Sequence, residues 1–309
     1  MLFGWFENTQ SYGGEKMIEN LLEWSLDYSG VPCFPRRLQN ELSLGGPLSE
    51  QAVQYLVSNS VICDMAHNHP ASFKITERVY GLGRPGKVGL DEIDEWIAWG
   101  LGGQSLYNRL EFCGPLLSDW LSSPSRIPQQ PAVVADLGGG PGTYGFRALK
   151  PFSATSKPAN WKSIDCDEES LQLGRLRAHE AGLSDVVTFH NANFMSRSSY
   201  PQNEERADLL ILIGVLCGMT PEVAVDCLRK IKPHGKEHAE ILAATLLVKS
   251  FEEDPLVYQL LARLGWTLRP KTSEKVEALF AAAGYQILNV YSERADGDGE
   301  YAIVRARIL

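Results

Sequence analysis

The sequence predicts an α/β protein: a doubly wound sheet in the C-terminal part, preceded by a mainly helical N-terminal region. Three observations carry that prediction. After residue 126, apolar strand signals alternate with helix signals, the pattern of a parallel sheet flanked by helices. The first strand, residues 133–137, runs straight into the glycine turn Gly138-Gly139-Gly140-Pro141-Gly142. The last two, 285–292 and 301–308, are joined across Asp296-Gly297-Asp298-Gly299, a hairpin signal that implies one antiparallel strand.

The elements follow in order. Residues 15–28 read as an amphipathic helix with Met17, Ile18, Leu21 and Leu22 at helical spacing and Gly30 as its stop. Ser49 is the expected N-cap of a helix to about residue 58. Asp91-Glu92-Ile93-Asp94-Glu95 opens another, its acids at the positive end of the dipole. Gly102-Gly103 is expected to break the chain before a helix over 104–121. Residues 122–131, rich in Ser and Pro, read as a linker, so the boundary is set near residue 125: a helical N-terminal cap over 1–125, for substrate or dimerisation, and a ligand-binding domain over 126–309. In the latter, strands are expected at 133–137, 163–166, 186–190, 208–213 and 241–248, before the final hairpin. Helices are expected at 168–181, 220–231, 255–264 and 273–283. Gly182 and Gly284 act as stops, and Thr220-Pro221 as a start.

Composition narrows the function classes. The 309 residues are 44 % hydrophobic, enough for one large or two modest cores. The net charge is −9, with nine Lys and Arg against 15 Asp and Glu in residues 1–130 and 20 against 23 in the remainder. Neither part carries the basic footprint that nucleic acid requires. No apolar run is long enough to span a bilayer, and the first residues lack the pattern of a signal peptide, so a cytoplasmic protein without membrane partners is expected. The six cysteines form no C-x-x-C, which argues against a zinc site or disulfide framework. His67-Asn68-His69-Pro70 near Asp64 lacks a third ligand and reads as a polar loop, so no metal is expected.

The chemistry centres on Asp136-Leu137-Gly138-Gly139-Gly140-Pro141-Gly142, a D-x-G-x-G-x-G frame. Gly140 to Gly145 also fits the dinucleotide pattern G-x-G-x-x-G, with Asp165 downstream as its acid. The acid at the strand end discriminates. A carboxylate there repels a pyrophosphate but attracts a ligand carrying an ammonium and a sulfonium. The frame resembles the first motif of class I S-adenosylmethionine-dependent methyltransferases. The likeness covers about residues 107–309 and implies a seven-stranded, Rossmann-like sheet with its last strand antiparallel.

The resemblance assigns a cofactor station to each strand end. Asp136, Gly138, Gly139, Gly140 and Gly142 form the turn. Asp165 stands where the family binds ribose hydroxyls, with Asp167 as its rival and Cys166 packing on adenine. Asn193 stands where the family often has Asp against the adenine edge, and Phe194 beside the ring; turn chemistry is the competing reading of Asn193. Gly214 lets the backbone pass the methionine end. Tyr107 and Arg109, on a helix before the first motif, are candidates for that same end, Arg109 for the cofactor carboxylate. Cys217 occupies the position where small-molecule O-methyltransferases often carry a histidine base, so the sequence names no catalytic residue.

The expected activity is methyl transfer from S-adenosylmethionine to a small-molecule acceptor, with S-adenosylhomocysteine as product. The aromatics Trp5, Phe6, Tyr12, Trp24, Tyr28 and Phe34 fit a flat or apolar acceptor, but a core or interface, including that of a homodimer, is the favoured reading. Protein methylation, a non-catalytic interaction module on the same fold, and a nicotinamide-dependent oxidoreductase are the alternatives.

Overall fold

A computed structural model describes residues 48–82, 92–123, 131–152, 158–202, 205–294 and 296–309. The expected helix over 15–28, the six aromatics above and most of the expected linker lie outside these residues. The chain divides into two compact units. One comprises residues 1–104 with 254–267, the other 105–253 with 268–309. The division therefore falls inside a helix rather than at the Ser/Pro stretch near residue 125.

In the first unit the chain forms α1 (Glu50–Asn59), α2 (Val61–Asn68), α3 (Phe73–Leu82), α4 (Glu92–Trp99) and the start of α5 (Leu101–Ser122). Ser49 caps α1 as expected, its hydroxyl accepting the Ala52 N–H at 3.3 Å. Buried Asp94 ties three elements together. Its Oδ1 accepts from the Ser60 hydroxyl at 2.5 Å and the Ile62 N–H at 3.1 Å, and its Oδ2 from Arg78 Nε at 2.7 Å. Gly102-Gly103 does not break the chain but lies in the first turn of α5. A Cβ on Gly103 would stand 2.3 Å from the Ile97 carbonyl oxygen, so the glycine lets the helix start against the chain before it. His67 and Asn68 end α2 rather than sitting in a loop.

The second unit holds one seven-stranded sheet in the order β3-β2-β1-β4-β5-β7-β6. Its strands are β1 (Ala132–Leu137), β2 (Ala159–Asp165), β3 (Val187–Asn191), β4 (Ala207–Ile213), β5 (Gly235–Leu246), β6 (Tyr285–Ser292) and β7 (Tyr301–Ile308). The first five pair in parallel, and β7 inserts antiparallel between β5 and β6, as the hairpin signal implied. Between them run α6 (Thr143–Leu149), α7 (Glu168–Glu180), α8 (Pro221–Ile231), α9 (Val248–Glu253), α10 (Pro255–Arg263, in the first unit) and α11 (Ser273–Ala282). Thr220 caps α8 through the Val223 N–H, with Pro221 at the first helical position. Two strand starts were expected too late. β2 begins at Ala159, ahead of the fully buried Trp161. β5 begins at Gly235, behind the exposed polar run Lys236-Glu237-His238, where pairing jumps from Ala207↔Gly235 to Leu209↔Glu240 and His238 has φ 62°.

On one sheet face Leu210, Leu212, Ile241 and Val304 meet Leu228 and Ile231 of α8 and Phe280 of α11, and the other face is buried as well, through Leu209, Ile211, Leu242 and Ile303. The chain runs outward from β1 through β2 to β3 and then crosses back to β4, so the carboxyl ends of β1 and β4 border a topological switch point, where open α/β sheets take ligands. Among the described residues no helix is long and apolar enough to cross a membrane.

Candidate functional site

Parallel register brings the strand ends to one level. Asp136 of β1 pairs with Ser163 of β2 and Ile211 of β4, so Gly138, Asp165 and Gly214 follow just beyond. Gly138, Gly140 and Gly142 have φ of 70°, 54° and 76°, which reverses the backbone three times in five residues. Gly139 serves space instead: a Cβ there would lie 2.5 Å from Asp136 Cγ and 2.6 Å from Ser163 Oγ. The Ser163 hydroxyl donates to the Gly140 carbonyl at 3.1 Å and pins the turn to β2.

Asp136 sits beneath this turn, 2 % exposed. Its Oδ2 has no hydrogen-bond donor among the described residues. Burial pushes its carboxyl up to about 7; the Trp161 indole N–H, facing it without hydrogen-bond geometry, acts against that, and the Asp165 charge adds to it. Asp136 thus lies under the turn rather than on an open wall.

Asp165 is half-buried at the end of β2. Its Oδ2 accepts the Gly140 N–H at 2.9 Å and its Oδ1 the Asp167 N–H at 3.0 Å. Each oxygen keeps a second lone pair for a ligand hydroxyl. The rival Asp167 is committed to α7, where its Oδ1 caps the Glu169 and Ser170 N–H groups. Cys166 lies exposed between them.

Asn193 is exposed, and its Oδ1 accepts the Met195 N–H at 3.0 Å. Turn chemistry thus takes the oxygen, and the side chain keeps only its donor for an adenine edge, not both functions as the sequence suggested. Phe194 reaches the turn: its ring lies 3.5 Å from the Cβ position of Gly138. Its carbonyl is held by Nε2 of buried His234 at 2.8 Å. Burial lowers the His234 pKa and the Phe194 carbonyl raises it.

Arg109, on α5, is 3 % exposed. Its Nε donates to the Tyr144 hydroxyl at 2.9 Å, its guanidinium lies 4.6 Å over the Tyr301 ring, and Nη2 stands 3.7 Å from the Cβ position of Gly214. Tyr107, two residues earlier on α5, is half-buried. Cys217 is buried, as expected of a packing thiol. Sequence reasoning missed Ser163, Tyr144, Tyr301 and Trp161.

The sequence of residues 129–284 matches a family model described as a methyltransferase domain. No curated protein matches the chain. Among solved structures, a possible exported protein from Bordetella parapertussis is similar at TM-score 0.66 and 16 % identity, covering 88 % of this chain and 93 % of that one. Magnesium protoporphyrin IX methyltransferase from Synechocystis with bound S-adenosylhomocysteine is similar at TM-score 0.54 and 12 % identity, over 81 % and 98 %. The N,N-8-amino-8-demethyl-D-riboflavin dimethyltransferase from Streptomyces davawensis is similar at 0.50 and 17 %, over 88 % and 68 %. With the matched model spanning just over half of the chain and the seven-stranded sheet of a class I methyltransferase, the chain belongs to the methyltransferase-domain family.

Proposed function

We propose that this protein binds S-adenosylmethionine at the turn after β1 and transfers its methyl group to a small molecule. The observation that carries the reading is the set of groups around that turn. A buried carboxylate with a donorless oxygen lies beneath it, a half-exposed carboxylate borders it at Asp165, and a buried guanidinium stands beside Gly214. These suit, in order, a cationic centre, a ribose diol and a carboxylate, which S-adenosylmethionine carries together. A nicotinamide dinucleotide would bring its pyrophosphate toward Asp136.

When bound, S-adenosylmethionine supplies a methyl group already activated on a sulfonium. The chain's own residues then have to orient and to exclude water. Asp165 holds the ribose, the Asn193 Nδ2 donates to adenine, Phe194 packs on the ring, and Arg109 holds the carboxylate. The absence of an assigned base is compatible with this chemistry, since a base is required only where the acceptor keeps its proton until attack. The small-molecule acceptor is supported by two neighbours of the same fold, whose names specify a protoporphyrin and a riboflavin derivative.

Gly140→Val tests the reading. Valine is strained at a φ of 54°, so the variant should keep its circular-dichroism spectrum and lose binding of S-adenosylhomocysteine. Retained affinity in a folded variant would contradict the assignment.

A further inference from the structure

The loop after β4 is held by a residue that none of the site assignments includes. Lys271 is 2 % exposed. Its ammonium donates to the carbonyls of Leu216 at 2.8 Å, Arg269 at 2.9 Å and Met219 at 3.1 Å. All three of its hydrogens are therefore spent, and every acceptor is a backbone carbonyl. Burial lowers its pKa, Cys217 raises it and Arg269 lowers it. The Lys271 backbone is itself fixed: its N–H donates to Leu246 O at 3.0 Å and its carbonyl accepts the Val248 N–H at 3.0 Å, next to the carboxyl end of β5. The Arg269 N–H adds a bond to Cys217 O at 2.7 Å.

A buried cation without a carboxylate is costly, and aliphatic packing would fill the space at less cost. What the ammonium provides is three convergent bonds to a segment with little regular structure, the turn Leu216–Gly218 and the residues beside it. That segment begins at Gly214, beside Arg109, and Val215 packs its Cγ2 2.8 Å from the Cβ position of Gly138. The shape of residues 214–219 is thus set from one side by Lys271 and read on the other by the glycine turn.

We infer that Lys271 is a positioning residue, a latch that locks the post-β4 loop in the form that receives the methionine end of the methyl donor. The inference rests on the proposed function for the role of that loop. The latch itself stands on the three carbonyl bonds.

The test compares Lys271→Met with Leu279→Ala, a core variant in α11 chosen to lower thermal stability while leaving the three carbonyl bonds to Lys271 in place. In Lys271→Met, amide exchange of peptides spanning 214–221 should rise about tenfold while β1 stays protected. Its affinity for S-adenosylhomocysteine should fall about tenfold, with Leu279→Ala unchanged in affinity. Should Lys271→Met fail to fold, Lys271→Gln, which keeps two donors but no charge, takes its place with the same readouts. Unchanged exchange at 214–221, or a rise spread evenly over the sheet, overturns the latch. Affinity equal to that of Leu279→Ala overturns its link to the donor. If the unmodified protein bound no S-adenosylhomocysteine, the proposed function would fail, and the exchange experiment would still decide the latch alone.

Discussion

Among the described residues two aspartates lie almost wholly out of solvent, Asp94 in the helical unit and Asp136 in the sheet unit, and they are handled in opposite ways. Asp94 receives a hydroxyl, a backbone N–H and a guanidinium, and so joins α2, α3 and α4. Asp136 keeps one oxygen without a donor, under a turn of glycines, with its carboxyl pushed up to about 7. A saturated buried carboxylate is part of the scaffold. One left short of a donor costs stability, and such a cost is expected where a ligand supplies what is missing. The difference separates a carboxylate that holds shape from one that the proposed function assigns to ligand binding.

Substitutions sharpen or break the contrast. Asp94→Ala should have the largest effect, a loss of about 3–5 kcal/mol in urea unfolding, because it breaks the ion pair with Arg78 and removes the acceptor of the Ser60 hydroxyl and the Ile62 N–H. A loss below 1 kcal/mol would remove the contrast. Asp165→Ala should weaken S-adenosylhomocysteine binding by about 1.5–3 kcal/mol in calorimetry, the worth of a charge-assisted hydrogen bond. Gly139→Ala should cost about 1–3 kcal/mol of stability, since its Cβ meets Asp136 Cγ at 2.5 Å.

The effect of Asp136→Asn depends on pH. In the unfolded chain the carboxyl loses its proton near the ordinary carboxylate value, and in the native protein only near 7. The native state holds the extra proton between the two, so the contribution to stability is full below about pH 4 and is lost as pH rises through 7. Asparagine carries no such penalty. Thermal melts should therefore show Asp136→Asn gaining on the unmodified protein from pH 5 to pH 8. A constant difference across that range would show that Asp136 does not titrate there.

Most of the sheet was legible in the sequence because its signals are local. All seven strands are apolar or alternating runs, and the turn after β1 and the Asp296–Gly299 hairpin are written in contiguous residues. Asp165 and its rival Asp167 were separable by the rule that the residue before a helix caps it. Tertiary bonds were not legible. α2 is capped by Ser60, whose hydroxyl is fixed by Asp94, 34 positions away. Gly102-Gly103 looked like a break because nothing local shows the Ile97 carbonyl that demands a missing Cβ. The convergence of Arg109, Tyr144 and Tyr301 joins residues from three distant segments, and so does the seat of Lys271. Asn193 was half legible: the residue type allowed both adenine pairing and an Asx turn, and the fold uses its oxygen for the turn.

The most direct test of the account is isothermal titration calorimetry of the purified protein with S-adenosylhomocysteine, with NADH as control. Micromolar binding of the first and none of the second is the predicted result. Binding of NADH alone, or of neither, would contradict a methyl-donor site built on Asp136, the glycine turn and Asp165.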